Sequence, residues 1–128
     1  MNDSTIDLKE AYELFSSNPT QESYEYVLYT LFMSARNSLG THVPVEMDSK
    51  GNICYGVVQT TDGYYYSICT SPEQLALCPE SSSIITTLDL MVVKSANDQY
   101  INGICINPYS IMPCFIPRDY IKRILKKG

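Results

Sequence analysis

The sequence has few of the residues that build metal and disulfide sites. It contains no tryptophan and a single histidine, His42, and no two of its cysteines are spaced C-x-x-C. Because a structural zinc ion needs four grouped thiol or imidazole ligands, we predict no metal site. The five cysteines are Cys54, Cys69, Cys78, Cys105 and Cys114. An odd number does not suit a secreted disulfide framework, and we interpret them as reduced, buried thiols.

Long apolar stretches are also missing. No segment approaches the ~20 consecutive apolar residues of a membrane-spanning helix. The first residues, Met1 to Ser4, are polar and acidic, unlike the basic start of a secretory signal. We therefore expect a cytoplasmic protein with no membrane contact.

Positive charge is scarce outside the C-terminal end. Nine Lys and Arg stand against fourteen Asp and Glu, which gives a net charge of −5. Residues 117–128 carry +4, so residues 1–116 carry −9. An acidic surface repels phosphate, and we predict no nucleic-acid partner. The basic residues near the C-terminus suit the last turns of a helix, where cations complement the helix dipole.

Catalytic motifs are absent as well. There is no G-x-S-x-G nucleophile turn and no G-x-x-x-x-G-K phosphate loop. A cysteine–histidine enzyme would have to use His42, and nothing next to any thiol lowers its pKa. Asp48 and Asp62 lie in predicted turns, where Asp is favoured for backbone reasons. We predict no catalytic residue, no cofactor and no enzyme activity.

Two helices are predicted in the first third of the chain. The first covers residues 5–16. The second runs from Pro19 to Leu39, with Asn18 as its cap, Gln21 completing a capping box and Gly40 ending it. Its apolar stripe consists of Tyr24, Val27, Leu28, Leu31 and Ala35.

Strands follow, because the apolar period changes to two. Val43 to Met47 alternate, and Pro44 places that strand at an edge or a bulge. Residues 53–60 and 64–69 form a hairpin around Asp62-Gly63, which predicts that Val57 pairs with Ile68.

Further predicted elements are a short helix capped by Ser71, a strand over 83–86, a helix over 88–93, strands over 103–106 and 111–115, and a helix from Pro117 with Tyr120, Ile121, Ile124 and Leu125 inward. The chain is predicted to be one α+β domain, residues 1–128, with a small, mostly antiparallel or mixed sheet flanked by helices.

Tyrosine is the residue type in excess. There are eleven, three of them in the run Tyr64-Tyr65-Tyr66. Adjacent strand residues face opposite sides, so the three cannot share one core. If the long helix covers the face of Val57 and Ile68, Tyr65 is left exposed with Val58 and Thr60. We interpret these three as a candidate interaction surface for a protein or a second copy of the chain, and expect Tyr65→Ala to cost about 1 kcal/mol of stability or less.

A second candidate site is the end of the segment Gly103-Ile104-Cys105-Ile106-Asn107-Pro108. The apolar residues predict a core strand, and Asn-Pro predicts a turn at its end. Asn107 and Pro108 are therefore either a structural turn or a ligand-facing corner near the end of the sheet.

The order of these motifs resembles the amino-terminal domain of the SseB (enhanced serine sensitivity) family over about residues 20–127. The motifs that carry the resemblance are Val43-Pro44-Val45, Asp62-Gly63, Cys69-Thr70-Ser71-Pro72-Glu73, Gly103 to Pro108, and the helix after Ile116-Pro117. The resemblance implies an α+β fold and a bacterial cytoplasmic protein. It implies no established activity and no catalytic residues.

We interpret the chain as a small, non-catalytic, cytosolic module that binds a protein partner or a small ligand. The alternative is an acidic inhibitor, of the immunity-protein type, that neutralises a basic partner through charge complementarity. An enzyme is the least favoured class. A clustered acidic face with exposed tyrosine favours the inhibitor, and a deep apolar pocket with converging polar groups favours ligand binding.

Overall fold

The computed structural model describes residues 7–127. The elements follow one another as α1 (Leu8–Ser17), α2 (Gln21–Arg36), β1 (Gly40–Met47), β2 (Ile53–Tyr55), β3 (Val57–Thr60), β4 (Gly63–Ile68), α3 (Pro72–Leu75), β5 (Ser82–Thr87), α4 (Leu88–Asn97), β6 (Ile101–Ile106), β7 (Cys114–Pro117) and α5 (Arg118–Lys127). The predicted α+β class is confirmed. Residues 5 and 6, the start of the first predicted helix, lie outside the described part of the chain.

The strands form two sheets. One is antiparallel in the order β2-β1-β5, and the other has the order β3-β4-β6-β7. The β4 and β6 strands are parallel, whereas β3 and β7 run antiparallel to their neighbours. The predicted mixed sheet flanked by helices is therefore present.

The two sheets are joined through β1. The Cys69 N–H donates to the His42 carbonyl at 2.8 Å, and the Gly56 N–H donates to the Pro44 carbonyl at 2.8 Å. The prediction that Pro44 places this strand at an edge or a bulge is wrong, because β1 lies between β2 and β5 and pairs with β5 in unbroken register through Pro44. In a strand, the N–H and C=O of one residue point to the same side. Because the Pro44 carbonyl points towards Gly56, the Pro44 nitrogen also points to that side, and its lack of a hydrogen removes no hydrogen bond between β1 and β5.

The hairpin register differs from the prediction. Val57 pairs with Tyr66 instead of Ile68, and Thr60 pairs with Gly63. The turn is Thr61-Asp62, because Gly63, with φ +131°, already belongs to β4. The observed pairing of β3 with β4 is shifted by two residues from the predicted one. An even shift leaves the side chains of both strands on their predicted faces of the sheet.

The ends of α2 are also corrected. Thr20 is the N-cap, and it forms a reciprocal capping box with Ser23 in place of Asn18 and Gln21. The helix ends at Arg36 and not at Gly40, and Ser38 takes the left-handed conformation with φ +53°. Gly40 instead begins β1. The predicted N-cap lies two residues too early, because the helix can start either at Pro19, after Asn18, or at Gln21, after Thr20.

The C-terminal elements shift towards the end of the chain. The last strand is β7, not residues 111–115, and Pro117 ends that strand while α5 starts at Arg118. Ile111 lies in a loop and is fully exposed. Leu125, predicted to face inward, is 40% exposed, whereas Ile121 and Ile124 are buried as predicted.

The core lies between the helices and the inner faces of β1, β4, β6 and β7. Its fully buried large side chains include Val27, Leu31, Val43, Val45, Ile68, Met91, Val92, Ile104, Ile106, Ile116 and Ile121. Burial of such side chains is worth about 1.5–3 kcal/mol each. Within residues 7–127, no helix has the length and apolar character needed to cross a membrane.

Candidate functional site

The predicted exposure of Tyr65 is wrong. Its side chain is only 6% exposed. The ring packs edge-on against Phe115 with 5.0 Å between centroids, and its backbone pairs with Gly103, which has no side chain. The aromatic ring therefore lies where a glycine leaves space on the sheet. Burial raises the pKa of Tyr65.

Val58 and Thr60 do share the face of Tyr65, since Val58 pairs directly with it. Both side chains are half-buried. The Thr60 hydroxyl accepts from the Asp62 N–H at 3.1 Å, so it supports the turn. Of the three proposed contact residues, none offers a largely exposed side chain.

Asn107 holds together the ends of two parallel strands. It is 1% exposed, with φ +54°. Its side-chain oxygen accepts from the Thr70 N–H at 2.9 Å, its amide group donates to the Thr70 hydroxyl at 2.9 Å, and its own N–H donates to the Ile68 carbonyl at 2.8 Å. Pro108 is buried. The hydrogen-bonding groups of Asn107 are therefore used within the chain, as the turn interpretation requires.

A cavity of about 400 Å³ opens beside this turn, which we call the corner cavity. Tyr12 closes one side, and its hydroxyl donates to the Met112 carbonyl at 3.0 Å. Glu13 and three exposed apolar side chains complete the rim: Leu77 is 54% exposed, Tyr109 41% and Ile111 100%. In open α/β sheets, ligands commonly lie beyond the carboxyl ends of parallel strands, and the corner cavity has that position.

A further apolar site lies between α2 and α5. This helix groove has a volume of about 530 Å³. Its apolar lining consists of Leu28, Tyr29, Phe32, Tyr120 and Ile124, and its polar lining of Gln21, Glu25 and Arg123. A second cavity of about 310 Å³ shares Phe32 and Ile124 with it and reaches Leu125.

Aromatic contacts fix the walls of the helix groove. The Tyr24 ring meets Tyr120 edge-on at 6.0 Å, and its hydroxyl donates to the Phe115 carbonyl at 2.7 Å. Burial, followed by the nearby Cys114, raises the pKa of Tyr24, so this hydroxyl stays protonated at neutral pH. Arg123 lies over the Tyr120 ring, 5.1 Å from its centroid. The groove therefore has a fixed apolar floor, with an acidic residue on one wall and a cation on the other.

The sequence motifs did not identify this groove. Tyr29 and Phe32 lie off the predicted stripe, and Leu125 was assigned to the core. The available signal was that α2 has apolar side chains around more than one face, from Tyr24 to Met33. A helix with a second apolar face is either buried on both sides or presents a groove.

His42 and Cys69 line one small cavity of about 140 Å³. The Cys69 sulfur, however, lies 3.6 Å from the sulfur of Cys78. Burial raises the pKa of Cys69, and Cys78 raises it further. A nucleophilic thiol needs the opposite shift.

Among residues 7–127, no three His, Cys, Asp or Glu side chains are grouped so as to hold a metal ion. Comparisons with known proteins add no relative: no protein-family model, no curated protein and no solved structure matches the chain. The resemblance to the SseB family stays a prediction from the order of its motifs.

Proposed function

We propose that this chain is a non-catalytic module of the bacterial cytoplasm that binds a protein partner in the helix groove. The observation that carries the proposal is the unfilled apolar lining between α2 and α5. Exposed apolar clusters of this kind mark interaction sites on soluble proteins. The SseB-like order of motifs and the α+β fold support the bacterial cytoplasmic part of this proposal.

The shape of the groove favours a protein over a small ligand. Small-molecule sites enclose about 70–90% of the ligand surface. Here Tyr29 is 51% exposed and, in the neighbouring cavity, Leu125 is 40% exposed, so both sites are open to solvent along one side. A large partner covers such an open groove, whereas a small molecule leaves much of it in water.

The thiols support a non-catalytic role. Burial raises the pKa of Cys105 and raises that of Cys114 to about 12. Such thiols are protonated at neutral pH and react slowly as nucleophiles. All five cysteines are free, which fits a reducing cytoplasm.

The chemistry of the groove defines the partner. Two helices with apolar side chains between them accept a third, amphipathic helix through anchors spaced i, i+3 or i+4, and i+7. Glu25 on α2 and Arg123 on α5 are exposed on opposite walls. We therefore expect a partner helix with an apolar stripe, a basic side chain towards Glu25 and an acidic one towards Arg123.

The test uses two tyrosine variants. Tyr29→Glu places a charge in the groove, and Tyr100→Glu places the same charge at a 75% exposed site elsewhere. Both side chains are exposed enough for the fold to tolerate the change. In captures from the native host with quantitative mass spectrometry, we expect a protein held by the wild type and by Tyr100→Glu to be lost with Tyr29→Glu. Equal retention by Tyr29→Glu contradicts the proposal.

The corner cavity favours a second candidate, the acidic inhibitor. Glu13 lies in the same lining as Tyr109 and Ile111, which joins negative charge to exposed apolar side chains. Tyrosine is enriched at protein interfaces, and a negative side chain beside it favours a partner of positive charge. This candidate predicts a basic partner whose binding weakens with salt and is lost with Glu13→Lys but not with Tyr29→Glu.

A further inference from the structure

Within residues 7–127, the outer edge of β5 is unpaired. The outer strands are β2, β5, β3 and β7. The β5 strand, Ser82–Thr87, has six residues, whereas the other three have four or fewer. Long free edges invite pairing with another strand, and proteins usually shorten, charge or cover them.

The backbone groups on the free edge follow from the register. Val43 pairs with Ile84 and His42 with Ile85 in the β1–β5 ladder. The His42 carbonyl is used on the opposite side of β1, where it accepts from the Cys69 N–H. His42–Ile85 is therefore a pair without mutual hydrogen bonds, and the N–H and C=O of Ile85 point away from β1.

Ser83, two residues before Ile85, has the same orientation. Pro44, the partner of Ser83, directs its carbonyl to Gly56. The N–H and C=O of Ser83 therefore also point outward. In the described part of the chain, no hydrogen bond engages these groups of Ser83 or Ile85.

Nothing in the β5 sequence protects this edge. Its residues, Ser-Ser-Ile-Ile-Thr-Thr, include no charge and no proline. By contrast, the β7 edge contains Pro117, and Tyr24 covers it by donating to the Phe115 carbonyl. Ile85 is 72% exposed, which adds an apolar side chain to the open backbone.

We propose that β5 pairs with β5 of a second copy of the chain, antiparallel about a two-fold axis at Ile85. In this register the two Ile85 residues exchange both backbone hydrogen bonds, and Ser83 faces Thr87 of the partner subunit. The outward-pointing N–H and C=O groups of one β5 strand then lie opposite those of the other.

The strand chemistry favours a second copy over another strand. The chain carries −5, so contact between two copies is resisted wherever acidic residues meet. β5 is uncharged along its whole length, and the two-fold register places Ile85 against its own copy, Ser83 against Thr87 of the partner subunit and Ile84 against Thr86 of the partner subunit. This interface shares no residue with the helix groove, so it is independent of the proposed function.

The test compares two isoleucine-to-lysine variants. Ile85→Lys puts like charges face to face at the two-fold axis, and Ile111→Lys makes the same change at a fully exposed loop residue. By sedimentation equilibrium between about 1 and 200 µM, we expect a species of twice 14.4 kDa for the wild type and for Ile111→Lys, and a dissociation constant at least about ten-fold higher for Ile85→Lys.

Amide hydrogen exchange identifies the interface. The Ser83 and Ile85 amides should exchange more slowly as the wild-type concentration rises, and at a constant fast rate in Ile85→Lys. A wild type that stays monomeric over the whole range overturns the proposal. So does a dimer that survives Ile85→Lys, or protection of both amides in a monomer, which would mean that a segment of the same chain occupies the edge.

Discussion

Tyr65 shows how one aromatic ring can cover part of a sheet face beside a glycine. Its ring lies beside Gly103 and against Phe115. A Cβ at Gly103 would approach the Ile116 carbonyl oxygen to 2.0 Å, so no larger residue fits there without moving the backbone. The tyrosine therefore supplies the apolar cover that the glycine cannot.

We predict that Tyr65→Ala lowers the free energy of unfolding by about 2–4 kcal/mol, because it removes a buried ring and leaves a cavity. The matched control is Tyr64→Ala, since Tyr64 is 43% exposed against 6% for Tyr65. Urea unfolding measures both variants. Equal, small losses would show that Tyr65 is a surface residue, as the sequence alone suggested.

The cysteines also differ from one another in solvent exposure. Cys54 is exposed, although the sequence pattern predicted a buried thiol, because β2 is an outer strand of three residues. Cys69, Cys105 and Cys114 are buried, and burial raises the pKa of each thiol. A protonated, covered thiol reacts slowly with disulfide reagents.

In the folded protein at neutral pH, we therefore predict one fast-reacting thiol per chain, with the buried Cys69, Cys105 and Cys114 reacting only as the chain unfolds. Cys54→Ser should remove the fast phase in a titration with an aromatic disulfide reagent. A fast phase that persists in this variant would reveal a reactive cysteine elsewhere and would reopen the enzyme hypothesis.

At the scale of elements, the junction between β2 and β3 depends on a close backbone approach. Gly56 donates to the Pro44 carbonyl, and its own carbonyl accepts from Ser67 at 3.1 Å, so it links both sheets. A Cβ at this position would lie 2.9 Å from the Pro44 oxygen and 2.8 Å from a Glu80 carboxylate oxygen. The long predicted strand over 53–60 is divided here for that reason.

Gly56→Ala should lower the free energy of unfolding by about 1–3 kcal/mol, since backbone must move to admit the methyl group. At Gly40, the added Cβ would be 3.4 Å from a methyl of Ile85, an ordinary contact. Gly40→Ala should accordingly be neutral or stabilise by up to about 1 kcal/mol. Thermal unfolding compares the two, and a larger loss at Gly40 would contradict the described junction.

Local signals predicted elements well where one residue decides the conformation. Ser71-Pro72 begins α3 as predicted, with the Ser71 hydroxyl accepting from the Gln74 N–H at 3.3 Å. The alternation around Val57 and Tyr66 assigned the correct faces although the register slipped. Such features depend on residues within a few positions of one another.

At the scale of the whole molecule, exposure depends on distant partners. Phe115, which covers Tyr65, is fifty positions along the chain, and no local pattern relates the two. The helix groove is likewise formed by α2 and α5, the second helix and the last. Of the candidate sites, sequence reasoning located the Asn107 turn, beside the corner cavity, and missed the groove.

The helix groove is proposed to hold a protein partner. Photo-crosslinking in the native host tests it most directly, with a benzophenone side chain replacing Tyr29 in one variant and Tyr100 in the other. We expect a discrete crosslinked species of higher mass from position 29, absent from position 100 and abolished by Phe32→Glu in the same chain. No adduct at position 29, or equal adducts at both positions, would contradict it.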